Sequence, residues 1–465
     1  MVKTIKVIGA GLAGTETAWQ LASLLEKNNI ADFKVQLYEM RPQVKTPAHH
    51  TANFAELVCS NSLGSEFLTT ARGVLIREMQ HYQSLIIAAA QEAKVPAGQA
   101  LAVDRDIFAK AVTEKIEQHP LIEVIREEFT EDLSSLVNTD DYLVLATGPL
   151  TSPDLAKKIQ ELFAKNNPDS KSTYLHFFDA AAPIVEESSI NMDIAFKASR
   201  YDKGVEEGQE GDYINCPFYD EAEFENFYQE LINSEKAELK DFEKGFFDEN
   251  RRFFDACQPI EQIASKGKQT LTFGPLKPVG LTDKRQPDKK AVAVVQLRQD
   301  NVVGSLYNIV GFQTNLKWAE QKRIFSMIPG LENLEIVRYG VMHQNIFINS
   351  PELLTQDLCL KNTNNIYFAG QITGVEGYTE SAASGIAVAQ SIISKIVDKQ
   401  TKIIPEQTML GSLCHYVSHC DPKRFQPINS NWGLLNKNPE TLEKQYRKNK
   451  KLRYEFLAQR ALASL

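Results

Sequence analysis

The first forty residues constrain this chain more than any other stretch. A short apolar strand, Ile5-Lys6-Val7-Ile8, runs directly into Gly9-Ala10-Gly11-Leu12-Ala13-Gly14. Residues 15–27 then carry apolar side chains at helical spacing, with Ala18, Leu21, Ala22 and Leu25 on one side. A second strand, Lys34-Val35-Gln36-Leu37-Tyr38, ends in Glu39. A Gly-x-Gly-x-x-Gly run between a strand and a helix, with an acidic residue after the next strand, is a dinucleotide-binding signature. Gly9 permits the tight turn, Gly11 lets backbone approach a pyrophosphate, and Gly14 lets the helix pack close to the strand. The helix start, where Leu12 and Ala13 stand, offers unpaired N–H groups and partial positive charge to phosphates. Glu39 is placed to accept hydrogen bonds from a ribose.

Later segments favour FAD over NAD. Asp140-Asp141-Tyr142-Leu143-Val144-Leu145-Ala146-Thr147-Gly148 is a strand ending in Ala-Thr-Gly, a segment common in flavoproteins that bind two dinucleotides. Near the C-terminus, Asn365-Ile366-Tyr367-Phe368-Ala369-Gly370 runs into a loop holding Gly374. From there Glu376-Gly377-Tyr378-Thr379-Glu380-Ser381-Ala382-Ala383-Ser384-Gly385 leads to a helix expected over 386–397, its N-terminus aimed at the ligand. The expected fold is therefore α/β: a Rossmann-like FAD-binding domain assembled from both chain ends, with an α+β insertion domain. The expected boundaries are 1–185 and 311–436 for the two parts of the FAD domain and 186–310 for the insertion. Residues 437–465 read as a basic C-terminal helix carrying Lys444, Arg447, Lys448, Lys450, Lys451, Arg453 and Arg460. That helix is either a solvated face or a surface for RNA phosphates. Cofactor contacts are assigned to Gly9, Ala10, Gly11, Leu12, Ala13, Gly14, Glu39, Gly148, Gly370, Gly374 and Tyr378.

Composition excludes several classes. A chain of 465 residues exceeds one typical domain, and 43% apolar with 24% charged residues suits an ordinary globular protein. No run approaches the roughly 18 apolar residues of a membrane span. Met1 leads almost at once into the first strand, which leaves no room for a signal peptide and points to the cytoplasm. The net charge of −9 argues against indiscriminate binding to nucleic acid or anionic lipid, while a local basic patch could still grip RNA. Six cysteines lack disulfide-framework spacing. Cys414-His415-Tyr416-Val417-Ser418-His419-Cys420 matches no usual zinc spacing, so no metal is expected.

A set of segments outside the glycine motif is more specific. Tyr38-Glu39-Met40-Arg41-Pro42, Thr46-Pro47-Ala48-His49-His50, Ala55-Glu56-Leu57-Val58-Cys59-Ser60-Asn61-Ser62-Leu63 and Val95-Pro96-Ala97-Gly98 resemble the methylenetetrahydrofolate–tRNA uracil-5-methyltransferases. So do Lys277-Pro278-Val279-Gly280-Leu281, Tyr307-Asn308-Ile309-Val310-Gly311-Phe312-Gln313-Thr314, Arg338-Tyr339-Gly340-Val341-Met342-His343 and Phe425-Gln426-Pro427. The resemblance implies FAD as tight cofactor, methylenetetrahydrofolate as carbon donor and NADH or NADPH as reductant. It further implies a uridine of structured RNA as acceptor, the T-loop of tRNA first and 23S ribosomal RNA as the alternative. The flavin fold taken alone would also suit an oxidoreductase of small molecules.

The resemblance places functional thiols at Cys257, in Asp255-Ala256-Cys257-Gln258-Pro259, and at Cys59. The chemistry explains why sulfur is wanted. Carbon 5 of uracil is a poor nucleophile, and a thiolate adding to carbon 6 turns the ring into an enolate. Cys257 is assigned as that nucleophile and Cys59 as its helper in proton transfer. Cys216 reads as packing, Tyr378 as a ring against the flavin, and His49, His50 and His343 as candidates to line the site. The chain departs from the family in three places: Gly64 and Gln344 stand where arginines are usual, and the segment 246–254 is longer than expected. Arginine grips phosphate or carboxylate through two prongs that Gly and Gln cannot copy.

Overall fold

The glycine turn does what its sequence requires. Gly9 has φ +100°, and a Cβ there would sit 2.7 Å from the Ala146 carbonyl oxygen. A Cβ on Gly14 would lie 1.8 Å from the Gly9 carbonyl oxygen, so only glycine lets helix Leu12–Lys27 seat on the strand. The computed structural model describes residues 2–44, 46, 48–166, 174–202, 210–237, 258–435 and 449–465. Within them, five strands form one parallel sheet in the spatial order Ile366–Phe368, Tyr142–Leu145, Lys3–Ile8, Phe33–Tyr38, Ile122–Ile125. The outermost of these strands comes from the far end of the chain, and pairs Ile366 with Leu143 and Phe368 with Leu145. This is an α/β, Rossmann-type fold built from both chain ends.

The main core gathers residues from Ile5 to Phe163 and again from Phe347 to Ala461. A second core draws on Val185 to Leu334, around a six-stranded sheet in which Tyr213–Phe218 pairs antiparallel with Ala293–Gln299. Cys216 is fully buried there, its thiol pushed well up by burial, as a packing residue would be. Two crossings join the units: Tyr174–Ala180 pairs antiparallel with Met342–Ile348. Because the second core runs past 310, we propose that the insertion ends near Leu334. Helix Lys450–Ala463 lies on the main core through Leu457, Ala458 and Ala461. Lys444, Arg447, Lys448 and Cys257 lie outside the described residues, as does segment 246–254.

One helix begins earlier than its sequence suggests. The helix expected over 386–397 spans Tyr378–Asp398 and starts behind Gly377 at φ +107°. Gly385 is a packing residue inside it: a Cβ would lie 2.6 Å from both the Ala13 carbonyl oxygen and Thr17 Oγ1 of the first helix. The small residues of Tyr378–Gly385 obscure a helical stripe in the sequence. They are small because two helices cross there at close range. Among the described residues, no helix is long and apolar enough to cross a membrane.

Candidate functional site

A cleft of about 1050 Å³, counting space open to solvent, lies at the carboxyl ends of the parallel strands, where open α/β sheets bind ligands. Gly9, Gly11, Leu12, Ala13, Glu39, Gly148, Gly370 and Tyr378 line it. Ala10, Gly14 and Gly374 are not among the lining residues: Ala10 is buried, Gly14 packs the helix, and Gly374 faces the Phe425 ring. Gly11 is the informative glycine. Its backbone is extended and a Cβ there would meet nothing within 4 Å, so the protein itself leaves that space open at a helix N-terminus. A dinucleotide pyrophosphate fits this cradle.

Glu39 sits at the cleft wall, held more firmly than a simple ribose acceptor. It accepts from the Ala10 N–H at 3.1 Å and from Arg41 N–H and Nε at 3.0 and 2.9 Å. Burial acts to raise its pKa, but the hydrogen bonds and charge of Arg41 and the Ala10 N–H bring it below the ordinary range. Arg41 reaches on to Glu56 at 3.3 Å. The Glu39–Arg41–Glu56 chain lines the cleft with His49, whose imidazole is pushed down to about 4, first by burial and then by the Arg41 charge. His49 is therefore neutral at physiological pH. Arg41 and Glu56 lay in family segments, yet no spacing marked them as partners. His50 donates its N–H to Glu56 at 2.8 Å, and the side chains of His343 and Gln344 lie outside the described residues.

Cys59 meets the cleft through Tyr378. The phenol oxygen accepts the N–H of Cys59 at 2.8 Å and of Ser60 at 3.2 Å, and lies 2.9 Å from Cys59 Sγ. With both acceptor positions taken, the phenol hydrogen is left for the sulfur. Burial, then the neighbouring Cys59, holds the phenol pKa well above its usual 10, so that hydrogen stays in place. Three arginines fix the same loop: Arg105 binds the Leu57 carbonyl at 2.7 Å, Arg338 the Val58 carbonyl at 3.1 Å, and Arg298 reaches Ser60 Oγ at 2.9 Å. Arg298 is buried, which lowers its pKa against the raising charges of Tyr213 and Asp300, and it hydrogen-bonds Asn61 and Ser60. The phenol hydrogen thus gives the Cys59 sulfur a hydrogen-bond donor at 2.9 Å.

At Gly64, where the resemblance expects arginine, φ is +93° and a Cβ would collide with Arg72 Cδ at 2.0 Å. Arg72 occupies that space and pairs with buried Glu380 at 2.9 Å, two residues beyond Tyr378. A guanidinium thus stands beside the position that lost one. The Cys414–Cys420 segment forms helix Met409–His419, with His415 stacked on His419 at 4.4 Å. Cys414 faces the core, its thiol pushed up to about 12 by burial. Among the described residues, no three His, Cys, Asp or Glu side chains are grouped to hold a metal.

Sheet, cleft and glycine cradle together define a dinucleotide-binding protein of Rossmann type. The family model described as glucose inhibited division protein A matches residues 4–400. The chain superposes on the solved GidA of Aquifex aeolicus with a TM-score of 0.63 at 14% identity, covering 99% of this chain and 73% of that one. Within that class, the nearer relatives are more particular. The chain is 52% identical to the methylenetetrahydrofolate–tRNA-(uracil-5-)-methyltransferase TrmFO of Brevibacillus brevis, over 99% of this chain and 97% of the relative. It is 51% identical to the TrmFO of Ligilactobacillus salivarius, over 97% and 96%. The chain belongs to the TrmFO family.

Proposed function

We propose that this protein methylates carbon 5 of a uridine in structured RNA, most simply the T-loop uridine of tRNA, with methylenetetrahydrofolate as carbon donor and NADH or NADPH as reductant. The observation that carries the reading is Cys59 Sγ held 2.9 Å from Tyr378, at the wall of a dinucleotide cleft, in a chain that matches its relatives end to end. Gly11, Leu12 and Ala13 would hold the FAD phosphates and Glu39 its ribose. FAD, when bound, supplies the hydride passed on from NADH or NADPH. A thiolate, assigned to Cys257, adds to carbon 6, and the electrons of the 5,6 double bond move to the ring carbonyl as an enolate. Carbon 5 then bonds to the folate methylene carbon as the first of that carbon's two bonds to nitrogen breaks. Cys59, steadied by Tyr378, takes the proton from carbon 5 as the second carbon–nitrogen bond breaks, which frees tetrahydrofolate and leaves a methylene group on carbon 5. Hydride added to that methylene completes the methyl group as the Cys257 sulfur leaves carbon 6, so the net change consumes one reductant and one proton and releases tetrahydrofolate.

The uridine must leave its stack to enter such a pocket, and an RNA of fixed shape is the natural substrate. The relatives carry tRNA in their names, which favours tRNA over 23S ribosomal RNA and over a small molecule. A tRNA substrate would place the activity in the cytoplasm. The test supplies isotopically labelled methylenetetrahydrofolate, NADH or NADPH, and either unmodified tRNA or a 23S fragment, and locates label by mass spectrometry. Label in T-loop 5-methyluridine is expected. Label in neither RNA defeats the reading, and label in the fragment alone selects the ribosomal target. Cys257→Ala should keep its flavin and lose methylation; full turnover by that variant would remove Cys257 from its role.

A further inference from the structure

Trp318 opens helix Trp318–Phe325 and stacks on Tyr339, with ring centroids 5.1 Å apart and planes 17° from parallel. Even with Tyr339 against it, 62% of the tryptophan stays exposed. An indole covered on one face and still that exposed presents its other face to solvent. Its surroundings make this more than a stray surface ring. Tyr339 follows Arg338, whose guanidinium holds the Val58 carbonyl at the cleft wall, one residue from Cys59. On its other side, the irregular stretch leading to Trp318 holds described residues on both sides of the segment that carries Cys257. The Ala237 N–H donates to Asn315 at 2.7 Å, and the Ile260 N–H to Gln313 at 2.7 Å. The ring pair therefore stands between the anchors of the two proposed reacting thiols. One helical turn on, at the i+4 position that shares its face, is exposed Lys322, and exposed Lys236 is bridged to Leu316.

We propose that Trp318, backed by Tyr339, is the stacking platform for a nucleobase next to the target uridine, with Lys322 at the adjoining phosphate. This rests on the RNA methyltransferase reading. Extruding one uridine leaves its neighbours unstacked, and an aromatic face replaces the lost stack without demanding a particular base. A cation on the same helical face suits the backbone that must run past it. Trp318 acts here as a positioning residue for RNA and takes no part in the chemistry at carbon 5 or carbon 6.

The experiment uses the whole 465-residue chain loaded with FAD and an unmodified tRNA transcript, with Trp318→Ala, Trp318→Phe and Lys322→Ala. Trp318→Ala should raise KM for the transcript about tenfold, equal to about 1.4 kcal/mol, within the range of a base–aromatic stack. FAD content and denaturation midpoint serve as controls for folding. Trp318→Phe, which keeps a ring, should recover most of the loss. Lys322→Ala should weaken RNA binding and make its salt dependence shallower by about one in log–log slope. Transcript added to the unaltered protein should quench tryptophan fluorescence, and that quench should be absent from Trp318→Ala. An unchanged KM with the quench intact overturns the platform, as does a phenylalanine variant no better than alanine. If Trp318→Ala is normal while the unaltered protein methylates tRNA, the platform alone falls. If the unaltered protein makes no product from any RNA, the methyltransferase reading falls and takes the platform with it.

Discussion

Gly11 and Gly14 belong to one motif, yet the structure predicts opposite consequences for adding a methyl group to each. At Gly14 the new Cβ lies 1.8 Å from the Gly9 carbonyl oxygen, inside any real contact distance, with backbone on the receiving side. The helix must lift off the strand, and overpacking of this kind costs about 1–3 kcal/mol or more. At Gly11 the methyl meets nothing within 4 Å and the backbone, φ −76° and ψ −168°, is one that alanine adopts freely. Gly11→Ala should leave the apoprotein as stable as before, or more stable by about 0.4–1 kcal/mol through a less disordered unfolded chain. The space the methyl fills is the one assigned to the pyrophosphate. Losing one charge-assisted hydrogen bond there costs about 1.5–3 kcal/mol, so FAD should bind at least about tenfold more weakly. Urea unfolding of the apoprotein and FAD titration followed by flavin absorbance separate the two effects. Gly11→Ala with unaltered FAD affinity would refute the placement of the phosphates, and Gly14→Ala with unaltered stability would refute the packing argument.

Two further predictions follow from buried groups. Tyr378→Phe removes the oxygen that accepts the Cys59 and Ser60 N–H groups, and should cost about 2–4 kcal/mol. It should also slow alkylation of Cys59 by iodoacetamide near neutral pH; alkylation as fast as in the unaltered protein means the sulfur is not receiving the phenol hydrogen. Glu78 accepts the Met409 and Leu410 N–H groups at the start of helix Met409–His419, and burial pushes its carboxyl up from 4.5 to about 7. A folded pKa raised above the unfolded one means its stabilising share is complete below about pH 4.5 and lost as pH rises through 7, by up to about 3 kcal/mol. Glu78→Gln should flatten the fall in stability between about pH 4.5 and 7 in urea titrations, and an unchanged slope would sink the assignment.

What the sequence disclosed depended on how locally each feature is determined. Gly9, Gly11, Gly14 and the flanking strands were legible because turn geometry and apolar period act over a few residues. The start of the Tyr378–Asp398 helix was not, since the glycine and alanines that admit the first helix also dilute the helical stripe. The Cys59–Tyr378 contact joins residues 319 apart in sequence, and no spacing rule reports a pair of that kind. The resemblance supplied each residue separately, and the fold supplied their meeting. Arg41 was hidden differently: it stands two residues from Glu39, but only the cleft shows that it ties Glu39 to Glu56.

The parallel sheet carries a consequence for how the protein is made. Tyr142–Leu145 is an inner strand only because Ile366–Phe368 lies beside it. At about 5–20 residues per second, a ribosome takes roughly 10 to 45 s to travel from the first of these strands to the second. Throughout that interval an apolar strand edge faces the cell with its backbone groups open, the kind of edge that invites wrong pairing. Gly370 and Tyr378, which complete the cleft wall, are made later still. Loading with the proposed flavin would therefore wait on the last fifth of the chain, and an arrested or truncated product should emerge colourless and prone to aggregate.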